Sequence, residues 1–102
     1  MPGTAPESGP GWVALDELGG VLGVETRRVT EYVELGLVSP AIRAEQRTLT
    51  VTEVARLSRA LRLARELELH AAAAAMLVEL LEEREDLRRR LACLEQLLGG
   101  GA

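Results

Sequence analysis

The stretch GVETRRVTEYVELGLVSP, Gly23 to Pro40, decides how this chain folds. Val29, Tyr32 and Val33 lie at the three and four spacing that places apolar side chains on one face of a helix. That helix is predicted to end at Leu35, because Gly36 suits the left-handed conformation just past a helix end. Pro40 then forbids a restart of helix, and the polar turn residues around it point to a change of structure.

Upstream, WVALDELGGVLGV carries Leu15, Leu18, Val21 and Leu22 at helical spacing. This predicts a first short helix, capped by Asp16 and stopped at Gly23, three residues before the second. Downstream, LVSPAIRAEQRTLTV loses helical periodicity, which predicts two short strands around a loop, a small wing. Thr50 followed three residues later by Glu53 is a capping box. It opens a helix whose Val54, Leu57, Leu61, Ala64 and Leu67 form one apolar stripe to about Leu69. From His70 onward the chain has strong helix formers, and Leu77, Leu80, Arg84, Leu87, Leu91, Leu94 and Leu98 alternate spacings of three and four.

The organisation expected is therefore mainly helical. A flexible tail spans 1–11, a winged helix-turn-helix 12–50, a long helix 51–69, a coiled-coil-like C-terminal helix 70–98 and a short tail 99–102. Trp12 and Tyr32, the two aromatic residues, are expected to anchor the core.

Composition narrows the functions open to a chain of 102 residues. With 12 basic and 16 acidic side chains, the net charge of −4 works against broad neutralisation of phosphates and favours a basic partner. Every basic residue is arginine, a planar fork suited to bidentate pairing. A lone Cys93 and a lone His70 provide no disulfide, no metal ligand set and no nucleophile–base pair. The expectation is a non-enzymatic cytoplasmic protein with no cofactor, no metal and no membrane segment; its longest apolar run, 71–78, is too short to span a bilayer.

Two short helices, a glycine-ended exit and a wing are the arithmetic of a winged helix-turn-helix. The residues "GV", the offset of thirteen residues from Gly23 to Gly36, "GLVSP" and "RLSRALRLARELEL" resemble the MerR family of bacterial regulators. In that family the second helix offers an arginine and an aromatic near the positions of Thr30 and Glu31, and the wing carries an arginine pair beside an aromatic. Here the wing reads EQRTLT. Arg27, Thr30, Glu31 and Glu34 share one helical face, so a phosphate reached by Arg27 meets two carboxylates nearby.

TEYVELGLVSP (Thr30 to Pro40), RALRLARELEL (Arg59 to Leu69) and the leucine-spaced C-terminal helix are more similar to the chaperone-modulatory, CbpM-type branch. That resemblance implies a winged-helix dimer that binds the J-domain of a co-chaperone and blocks its access to Hsp70. The family's aromatic-proline signal after the long helix is replaced here by His70 and Ala71 to Ala73.

J-domains present a basic helix, which an acidic surface attracts through long-range charge. Glu31, Glu34 and Glu45 are the first candidates for that contact, with Glu66 and Glu68 second. Leu77, Leu80, Leu87, Leu91, Leu94 and Leu98 are the expected homodimer seam. The rival reading is a DNA-binding MerR-type repressor, with Arg27 and Arg28 on the second helix and Arg47 on the wing making the contacts.

Overall fold

The computed structural model describes residues 11–99. The tail expected over 1–11 falls outside them except for Gly11, and 100–102 also fall outside. The described chain is mainly helical, with a small sheet and a long C-terminal helix. In order it holds β1 (Trp12–Ala14), α1 (Leu15–Leu22), α2 (Thr26–Glu34), β2 (Ala41–Arg43), β3 (Gln46–Thr50), α3 (Val51–Leu67) and α4 (Ala71–Gly99).

The helix-turn-helix depends on glycine at two different positions. Gly23 ends α1 in the left-handed region, at φ 71°. Gly19 is needed for space. Its carbonyl accepts from the Gly23 and Val24 N–H groups, which folds the turn back over it, and a Cβ at Gly19 would lie 2.9 Å from the Val24 carbonyl oxygen. After α2, Gly36 at φ 83° reverses the chain so that Leu37 and Val38 enter the core.

The sheet is antiparallel in the order β1-β3-β2, one strand more than the sequence reading expected. β1 is hard to see in sequence because its three residues run straight into the apolar repeat of α1. It pairs Trp12 with Thr50 and Ala14 with Thr48. Ala14 is thus the extended residue before α1, and Asp16 is not its cap. Asp16 instead sits in the first turn, where a carboxylate meets the positive end of the helix dipole. Trp12 is only half-buried, so Tyr32, fully buried, is the one aromatic in the core.

α3 opens on the Thr50–Glu53 capping box, with both reciprocal hydrogen bonds made. Its buried face is Leu57, Ala60, Leu61 and Ala64; Leu67, expected in the stripe, is exposed because α3 ends there. Glu68 takes φ 55° and closes the helix onto the Ala64 carbonyl. The break between the long helices is therefore made without proline.

Only the first turns of α4 pack on the head, through Ala74, Ala75 and Val78. Alanine lets α4 approach α3 closely, and polar contacts to α3 continue along α4 as far as Glu85. The remainder projects. A compact chain of this length would have a radius of gyration of about 13 Å, against 17.4 Å here.

Candidate functional site

The surface that joins α2 to the α3–α4 corner holds Arg27, Arg28, Glu31 and Glu34, half of the charged candidates singled out above. α2 lies with its buried face, Val29 and Tyr32, against the core, which leaves Arg27, Arg28, Glu31 and Glu34 outside. One groove is lined by Arg27, Arg28, Glu31 and His70, and a second by Glu31, Glu34, Leu35 and His70. The first turn of α4, at Ala71, floors both. Glu31, His70 and Ala71 are common to the two, so they form one continuous surface.

Each arginine of α2 has a glutamate beside it. Arg27 pairs with Glu25 at 3.2 Å and Arg28 with Glu31 at 3.7 Å. Exposed pairs of this kind are worth about 0–1 kcal/mol, so they do not lock the side chains. They do lower the positive potential that a phosphate would meet. Glu34 has no cationic partner among the described residues.

The other expected residues are dispersed. Glu45 is at the tip of the wing, in a two-residue turn where Ala44 and Glu45 have φ 52° and 63°. Arg47 faces solvent on β3, opposite Ile42 of β2. Glu66 is exposed on α3 and borders neither groove, while Glu68 borders a separate cleft with Arg28. Leu77 is half-buried, and Leu80, Leu87, Leu91, Leu94 and Leu98 are exposed along α4.

Burial raises the Tyr32 phenol above its ordinary pKa, with the Arg28 guanidinium opposing and Glu31 reinforcing the rise. The hydroxyl itself has no hydrogen-bond partner of good geometry among the described residues. Arg28 thus lies between a buried phenol and a surface carboxylate.

Sequence reading missed a polar joint behind this surface. The Arg56 guanidinium donates two bonds to Glu82, at 2.8 and 2.9 Å, and a third to the Leu37 carbonyl at 2.6 Å. One side chain therefore ties α3 to α4 and to the exit of α2. Arg59 reaches Glu85 at 3.4 Å. The signal available in sequence was the arginine series 56, 59, 62, 65, but partners 26 residues away carry no local signature.

Glu53 is a second joint, since besides capping α3 it accepts from the Ser39 N–H at 2.9 Å. Burial pushes its carboxyl up, and the Ser39 and Thr50 N–H groups, the Thr50 hydroxyl and Arg56 outweigh that, holding it below the ordinary value. The stabilisation from this depressed pKa is present above the unfolded-state value and is lost as pH falls through the folded one.

The grooves are open and shallow, suited to a macromolecular surface. No group of three or more His, Cys, Asp or Glu among the described residues is placed to hold a metal ion, and no described helix is long and apolar enough to cross a membrane. Nothing among the curated proteins matches the chain. Residues 13–96 match the family described as MerR HTH family regulatory protein, a span that runs from β1 through the helix-turn-helix, wing and α3 into the last turns of α4. With most of the chain inside that match and the winged helix-turn-helix present, the chain belongs to the MerR family of helix-turn-helix regulatory proteins.

Proposed function

We propose that this chain is a non-enzymatic, cytoplasmic modulator of a J-domain co-chaperone, acting as a homodimer and controlling the co-chaperone's access to Hsp70. The observation that carries this reading is the surface where Glu31 and Glu34 flank Leu35, His70 and Ala71. It offers carboxylates beside an apolar strip, the complement of a basic amphipathic helix. The arginines of α2, which a DNA reader needs free, already stand beside carboxylates.

The homodimer is supported by the unpartnered leucine stripe of α4. The series 77, 80, 84, 87, 91, 94, 98 is nearly symmetric about Leu87. An antiparallel second copy would set Leu80 against Leu94 of the partner subunit and Arg84 against Leu91 of the partner subunit. It also brings Glu85 and Asp86 against the arginines 88 and 89. A parallel pair would set two Arg84 side chains together in the seam, which like-charge repulsion opposes. Under mild oxidation Leu87→Cys should cross-link through a residue on the axis, while native Cys93 should not.

DNA regulation is the second reading, favoured by the winged helix-turn-helix itself and by the exposure of Arg27, Arg28 and Arg47. Titration calorimetry with the isolated J-domain of the organism's own J-protein, at low and moderate salt, separates the two. Salt-weakened binding is expected. Glu31→Lys with Glu34→Lys should weaken it, and the same pair should strengthen DNA binding if the rival reading holds. Absence of heat at either salt, together with a DNA footprint, would overturn the proposal.

A further inference from the structure

α3 carries arginine at every third position, 56, 59, 62 and 65. At 3.6 residues per turn each step of three falls about 60° short of a full turn, so the series winds about halfway around the helix. Arg56 and Arg59 face α4 and are matched by Glu82 and Glu85. Arg62 and Arg65 come out on the opposite side, where neither has a carboxylate partner among the described residues. In a chain of net charge −4, two unmatched guanidinium groups one turn apart call for an explanation.

They border a cleft of about 390 Å³ between the end of α1 and α3. Arg28 enters the same cleft from α2, and Ser58, four residues before Arg62, adds a hydroxyl to the wall. Its apolar lining includes Leu22, Val24 and Leu61. Glu68 is the one acid lining the cleft, and although Glu31 stands beside Arg28 on its other side, positive charge remains in excess through Arg62 and Arg65. The volume is at the lower end of the range for small-molecule sites, about 300–1,000 Å³. Guanidinium forks recognise carboxylates and phosphates by paired hydrogen bonds, and the apolar lining rewards a hydrocarbon or aromatic body.

We propose that this cleft binds a small organic anion, a carboxylate or phosphate monoester with an apolar body. The anionic head meets Arg62, Arg65 and Arg28, and the body covers Leu22 and Leu61. A phosphodiester backbone brings the charge but no apolar group for that lining. Because the cleft is walled by both α1 and α3, an occupant ties the helix-turn-helix to the long helix. The cleft shares Arg28 with the groove of Glu31, whereas Arg62 and Arg65 belong to the cleft and not to that groove, so the variants that test the two readings fall on different residues.

Phenyl phosphate is a suitable probe, followed by amide chemical shifts of the full chain. The expected result is saturable shifts at Leu22, Val24, Leu61 and Arg65 at millimolar concentration. Inorganic phosphate, benzyl alcohol, and phenyl phosphate on Arg62→Gln with Arg65→Gln should each bind at least tenfold more weakly. Both arginines are exposed, so the variant should keep the parent's spectrum and melting temperature; Arg65→Gln alone is the fallback should the pair not fold. No saturable shift would overturn the proposal. So would equal binding by the variant that folds, shifts centred on α4, or a short DNA duplex that shifts the same residues more tightly than phenyl phosphate.

Discussion

The head of the molecule and the distal part of α4 are written in nearly the same alphabet of leucine, alanine, arginine and glutamate, and they end in opposite states. In the head Leu18, Leu49 and Leu57 are fully buried, and Arg56 finds a bidentate partner. Beyond Glu85, Leu87 and Leu91 remain 56% and 57% exposed, and the ion pairs, Arg89 and Arg90 with Asp86, are local to the helix. The difference lies in what faces each stripe. α3 lies against β3, β1 and α4, whereas among the described residues no side-chain hydrogen bond or ion pair joins α4 beyond Glu85 to another element. A helical leucine stripe is a request for a partner, and composition does not say whether the partner is internal.

The sharpest way to break this comparison is one leucine truncation in each region. Leu57→Ala should destabilise the head by about 2–5 kcal/mol, because it removes a fully buried side chain and leaves a cavity. Leu91→Ala should leave the melting of a dilute monomer within about 0.5 kcal/mol, since an exposed helical leucine replaced by alanine loses little. Thermal denaturation at low protein concentration reads both. Equal losses would mean that α4 is packed on its own head after all.

Gly19→Ala tests how tightly the helix-turn-helix closes. The new methyl would press on the Val24 carbonyl and the Thr26 hydroxyl. A loss of about 1–3 kcal/mol is expected from that crowding, opposed by alanine's better helix propensity of about 1 kcal/mol. Denaturant unfolding should therefore show a net loss, with Gly20→Ala, which meets nothing, as the stabilised control.

The joint between the two regions is Arg56 with Glu82, whose side chains are 27% and 36% exposed. A double-mutant cycle of Arg56→Met and Glu82→Gln should give a coupling of about 1 kcal/mol. A vanishing coupling would detach the orientation of α4 from the head.

The smallest effect expected is at the wing. Glu45→Gly should stabilise by about 0.5–1 kcal/mol, since glycine adopts positive φ without steric cost. Chemical denaturation against the parent would show it, and a loss instead would mean that the Glu45 side chain supports the wing.

How much of this could be read from residues depended on range. Thr50 with Glu53, and Gly36 after α2, act within four residues of their partners, so both were legible. The candidate groove was half legible. Glu31 and Glu34 fall on one face of α2 by spacing alone, but His70 and Ala71 reach them only through the α3–α4 turn, and Glu45 is carried away to the wing tip. β1 was hidden because three residues are too few to establish a period, and Arg56 because Glu82 and Leu37 are far from it in sequence.

The sequence by itself determined the order of helices, the glycine stops, the cap of α3, the acidic balance and the leucine stripe, all set by local backbone preference and side-chain period. Only the tertiary structure decided that Ala74, Ala75 and Val78 rather than the leucines seat α4, that Arg56 joins three elements, and that Arg62 and Arg65 face a cleft. Such outcomes depend on which surfaces meet when elements pack, and a one-dimensional pattern records the surface each helix offers without recording what arrives to cover it.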